Sequence, residues 1–138
     1  MNKLLMMLGV VLLGGIFTAF TLSASSFNKS TVAGPFEDVV SAIKQGDASG
    51  LSRYLDNNVE INITGKSNSY SKAQAEIILK DFFSKNQVKS FELVHQGGDA
   101  SRFGIGNLTT TSGVFRLSFF LQKKGGSMVL NELRFENK

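Results

Sequence analysis

Residues 46–63 read GDASGLSRYLDNNVEINI, and the change of hydrophobic period inside this stretch decides the fold. Gly46 ends a helix, as a residue free to adopt the left-handed conformation does. Asp47 offers a side-chain acceptor to the free N–H groups of a second, shorter helix, in which Leu51, Tyr54 and Leu55 face inward. Asp56-Asn57-Asn58 is read as a turn, since these side chains hydrogen-bond their own backbone. From Val59 the period falls to two: Val59, Ile61 and Ile63 alternate with Glu60 and Asn62, the pattern of a half-buried strand.

Upstream, Gly34-Pro35 opens the first helix, with proline where the missing N–H costs nothing. Phe36, Val39, Val40 and Ile43 fall on one stripe, with Glu37 and Asp38 in the first turn and Lys44 in the last, matching the helix dipole. Downstream, Thr64 to Ser69 is turn-rich and predicts a tight hairpin. Ser71-Lys72-Ala73-Gln74 is a capping box opening a third helix, which buries Ala75, Ile78, Leu79 and Phe82 and ends near Lys85-Asn86. Val88–His95, Arg102–Thr110, Gly113–Lys123 and Met128–Glu136 then read as four strands joined by short, glycine-bearing connections. Such neighbours pair as antiparallel hairpins. The order of elements predicts an α+β fold, three helices on one face of a curved antiparallel sheet.

Parity sorts the aromatic residues of the fifth strand. Phe115, Leu117, Phe119 and Leu121 form one apolar row suited to a core. Phe120 stands on the opposite row with Val114, Arg116, Ser118 and Gln122, and Met128 and Leu130 are assigned to that second face as well. An apolar group on a face the helices leave bare marks a partner or ligand surface, so Phe120, Val114 and Arg116 are the candidate contact residues. Lys and Arg stems folded over them are the alternative. Gly104 and Gly106 alternate with Phe103 and Ile105 inside a strand, which argues for a bend or a close approach of a helix, not for a phosphate loop.

The segment 46–61, with its glycine, aspartate, small residue, leucine, aromatic, turn and strand, resembles the nuclear transport factor 2-like superfamily, the α+β cone also called cystatin-like. The text of residues 70–83 (YSKAQAEIILKDFF), 91–97 (FELVHQG), 105–110 (IGNLTT) and 113–116 (GVFR) is similar to a bacterial exported family, domain of unknown function 4783. The resemblance covers residues 34–136 and implies the fold, with a pocket between the helices and the open end of the cone. It implies no activity, because such folds host many functions.

Enzymes of that superfamily, ketosteroid isomerase and dehydratases among them, place a carboxylate near the end of the first strand with a Tyr or His facing it. Here Ile61-Asn62-Ile63-Thr64 occupies that position and offers no group that ionises near neutral pH. His95 shares a strand face with Phe91 and Leu93. His95 and Tyr54 are therefore the catalytic candidates of an alternative reading, a small isomerase, dehydratase or hydrolase. One His and no Cys give no metal-ligand cluster, and no cofactor motif is present. The favoured expectation is a non-enzymatic module that binds a small apolar ligand in the cone, or a protein partner or a second copy through the open sheet face.

Residues 1–23 read as a signal peptide: Lys3, then Leu4 to Leu22 without a charge, then small residues from Thr21 to Ser25 at the positions signal peptidase reads. The alternative is a retained anchor over residues 4–22, which would be the chain's one membrane contact and would still leave the domain outside. Residues 24–33 form a polar spacer and 34–138 the single domain. The chain has no Cys, so an extracytoplasmic domain must hold together through its core alone. The formal net charge of the whole chain is +4 with scattered lysines, and no basic run interleaves with aromatics, which argues against nucleic acid.

Overall fold

Pro35 sets the start of α1 (Pro35–Gln45), and Gly46, in the left-handed region at φ 62°, ends it by donating its N–H to Ile43. A computed structural model describes residues 34–138; the expected signal peptide (1–23) and spacer (24–33) lie outside them. Asp47 caps α2 (Ala48–Ser52) by accepting from the Gly50 N–H at 2.9 Å. α3 (Lys72–Lys85) opens with the full capping box, Ser71 and Gln74 each accepting from the other's backbone N–H. No helix among the described residues is long and apolar enough to cross a membrane.

The strands are β1 (Leu55–Ile63), β2 (Lys66–Ser71), β3 (Val88–Gly98), β4 (Ser101–Thr110), β5 (Gly113–Lys124) and β6 (Ser127–Asn137). They form one curved sheet in the order β2-β1-β6-β5-β4-β3. All neighbours run antiparallel except β1 and β6, which pair in parallel because the meander β3–β6 returns beside the first strand. The three helices cover one face. There Phe36, Val39 and Ile43 of α1, Leu51 of α2 and Leu79, Phe82 and Phe83 of α3 bury against the inner rows of β1, β5 and β6.

Three expectations are corrected. Asp56-Asn57-Asn58 is not a free turn but an irregular stretch within β1, where pairing to β6 slips between Leu55 and Glu60. Burial acts to raise the Asp56 pKa, but the Asn57 N–H and the Lys124 ammonium at 3.1 Å outweigh it and hold the carboxyl below its ordinary value. Leu130 and Met128 do not lie on the second face: Leu130 is fully buried and Met128 packs on the core. Asn131 is an extra residue where the β5–β6 register shifts, and one inserted residue reverses the facing of everything beyond it. Finally, of the two alternatives at Gly104 and Gly106 the helix approach is not met: the atoms nearest a Cβ there come from neighbouring strands. The ring of Phe119, directly across on β5, lies where a Gly104 Cβ would stand, 2.3 Å from its Cζ, and Phe91 of β3 covers Gly106 in the same way.

Candidate functional site

The inner face is not filled evenly. Under β4, β5 and β6 it is closed by rings: Phe36 against Phe119 at 5.4 Å between centroids, and Phe82 against Phe115 at 5.3 Å and Phe135 at 4.2 Å. Toward the β1–β2 hairpin the filling stops. A cleft of about 430 Å³ opens there between the hairpin and the second half of α3. Ile61, Ile63, Ile78, Phe82 and Phe115 make its apolar floor, and Ile63 and Ile78 are only half-buried although they pack on the core.

The polar wall of the cleft comes from strand alternation. Lys66, Asn68 and Tyr70 of β2 stand opposite Ile63, Ile61 and Val59 of β1, so the three share the inner face and line the cleft across from α3. The hairpin turn is held by Thr64 N–H to the Phe135 carbonyl at 2.8 Å and by Gly65 N–H to Asn62 Oδ1 at 3.0 Å. From α3 come Asp81 and Lys85, one turn apart and paired at 3.0 Å, with Asn86 bonded to the Phe82 carbonyl. The cleft therefore has a greasy floor, one wall of uncommitted donors, and a single carboxylate that is exposed and already paired.

The first-strand positions that resemblance marks for a catalytic carboxylate do line this cleft, through Ile61, Ile63 and Thr64, and carry no acid. The two candidates for an enzyme are not brought together. Tyr54 donates its hydroxyl proton to the Asp38 carboxylate, tying the end of α2 to α1. That hydrogen bond, then partial burial, hold the phenol above its ordinary pKa. His95 does not face inward with Phe91 and Leu93. The register of β3 against β4 slips between Leu93 and His95, so His95 pairs with Ile105 and turns to the outer face, exposed. Tyr54 and His95 line separate hollows.

On the outer face Phe120, Val114 and Arg116 lie as their parity predicts. Phe120 is half-buried because the Phe103 ring of β4, directly opposite, stands 6.5 Å from it between centroids. Val94 and Val114 remain 49% and 39% exposed on β3 and β5. Glu132 and Arg134 pair at 2.9 Å beside them. Among the described residues no three His, Asp or Glu side chains stand close enough to hold a metal.

Sequence reasoning missed the cleft residues, although two signals pointed to them. Lys66, Asn68 and Tyr70 sit at a spacing of two, and Ile78, Asp81, Phe82 and Lys85 recur at three and four along one side of α3. What the spacing does not show is that open space is left between these two rows.

Three helices on one face of a six-stranded, curved, mostly antiparallel sheet make this an NTF2-like domain. An NTF2-like protein of unknown function from Cytophaga hutchinsonii shares the fold at 10% identity and a TM-score of 0.51, over 72% of this chain and 84% of that one. Within that class the chain belongs to the family described as domain of unknown function DUF4783, which matches residues 36–136. Solved members from Bacteroides fragilis and Bacteroides uniformis are similar at 37% and 36% identity, with TM-scores of 0.71 and 0.72. They cover 73% and 74% of this chain and 96% and 95% of their own, so each solved chain consists almost wholly of this domain. No curated protein matches the sequence.

Proposed function

We propose that this chain is an exported, non-enzymatic binding module whose cleft takes a small apolar ligand. The observation that carries the reading is the 430 Å³ cleft with half-buried Ile63 and Ile78 on its floor, a volume within the range of small-molecule sites. Apolar surface left beside a closed core gains from being covered, at roughly 25 cal/mol per Å². Catalysis lacks support in the cleft: its one carboxylate, Asp81, is exposed and paired with Lys85. The test is a titration of residues 34–138 with the dye 1-anilinonaphthalene-8-sulfonate. Saturable binding is expected in the native protein, and Asn68→Trp, which places a ring in the cleft, abolishes it. Dye binding unaffected by Asn68→Trp overturns the reading.

A second reading, self-association through the outer face, rests on the Phe103–Phe120 pair with exposed Val94 and Val114 around it. Sedimentation checks it: a monomeric native protein, or a Phe120→Glu variant that associates as before, removes it. Export is carried by the uncharged run after Lys3 and the small residues that follow. Protein from its host is expected to begin between Ser23 and Ser26, and intact chain found only in membranes would favour the anchor.

A further inference from the structure

We infer that the occupant of the cleft is a free amphipathic carboxylate, an acyl chain of moderate length whose head group meets Lys66. The inference rests on the proposed ligand-binding role and names the chemistry of its ligand. The lining carries two cations and one anion. Lys85 is taken by Asp81 at 3.0 Å, and Lys66 makes no ion pair among the described residues, so one positive charge is left over at the hairpin end. Asn68 and Tyr70 follow Lys66 along the same inward row, and neither side chain hydrogen-bonds another described residue. A neutral or cationic ligand leaves Lys66 without a partner, whereas a carboxylate takes its ammonium and an Asn68 N–H together.

The apolar part of the ligand is placed by the same geometry. Lys66 stands opposite Ile63 at the turn, and the floor runs from there past Ile61 to Phe82 and Ile78. A chain anchored by its head at Lys66 therefore lies along half-buried aliphatic side chains and ends against the closed aromatic core. A phospholipid in a bilayer does not fit this arrangement. Its head group would have to enter a cleft bounded by polar β2 and the exposed Asp81–Lys85 pair.

The test is displacement of the bound dye from residues 34–138 by decanoate, decanol and decyltrimethylammonium, each below its micelle concentration, with sedimentation on anionic phosphatidylglycerol vesicles alongside. Decanoate is expected to bind tightest, and added salt weakens it while leaving decanol unchanged. Lys66→Gln weakens decanoate about fivefold, the effect of one exposed charge pair, and Lys66→Arg restores it. Circular dichroism confirms that both variants are folded. Equal binding of decanoate and decanol, with no effect of Lys66→Gln, overturns the carboxylate inference and leaves the cleft as an apolar site. If none of the three ligands displaces the dye, the inference and the cleft reading fall together. Tight vesicle binding that Lys66→Gln abolishes overturns the inference in favour of a membrane surface.

Discussion

The two halves of the inner sheet face are built on opposite rules. Under β4 and β5 a glycine row faces a phenylalanine row: Gly104 lies beneath Phe119, and Gly106 beneath Phe91. Removing side chains from one strand lets rings from its neighbours lie flat across it, and the space closes. Under β1 and β2 the inward row is Lys66, Asn68 and Tyr70, and a cleft separates it from the second half of α3. Long polar side chains at an edge strand keep their ends in water, so the space stays open. The stability of the domain is thus concentrated in one half, and the open space in the other.

The largest expected effect breaks the boundary between the halves. Phe82 closes the aromatic cluster and also floors the cleft, and it is 5% exposed. Phe82→Ala is expected to cost about 3–5 kcal/mol, read from the midpoint of a urea melt, because the rings of Phe115 and Phe135 lose their shared neighbour. A loss below about 1 kcal/mol would show that the cleft already relieves the packing there and that the halves are not distinct.

Adding bulk to the closed half comes next. A Cβ on Gly104 would stand 2.3 Å from Phe119 Cζ, and Phe119 is fully buried against Phe36, with nowhere to move. Gly104→Ala is expected to destabilise by about 1–3 kcal/mol in the same melts, although alanine suits a strand no worse than glycine. The helix that borders the open half gives a smaller effect. Ser71→Ala removes one half of the capping box and is expected to cost about 1 kcal/mol. If Ser71→Ala exceeded Phe82→Ala, the inward side of α3 would be misassigned.

The division was partly legible in the sequence. The caps at Gly46, Asp47 and Ser71 are local chemistry and read directly, as does the single-sided row from Phe115 to Leu121. Facing failed where one strand carries a residue its partner does not match. Val94 turns His95 outward, and Asn131 returns Leu130 to the core. Strict alternation has no way to register an inserted residue, because the insertion is defined by the neighbouring strand. The cleft was hidden for a related reason. Lys66, Asn68 and Tyr70 look like a solvated edge strand until the fold sets their inward side across a cleft from the second half of α3.

The smallest expected effect is the sharpest test of the contrast, because it repeats the Gly104 experiment in the other half of the same inner face. Asn68 is exposed and faces the cleft opposite Ile61, and its side chain bonds to no other described residue. Asn68→Ile adds apolar bulk at a strand position, as Gly104→Ala adds it, but into space that holds no ring. Nothing has to shift, isoleucine favours the strand, and part of the exposed Ile63 and Ile78 surface is covered. Stability is therefore expected to stay within about 0.5 kcal/mol of the native protein or to rise slightly, measured by urea melts run beside Gly104→Ala. A loss comparable to that of Gly104→Ala would mean that the cleft closes in solution and that both halves of the face are filled.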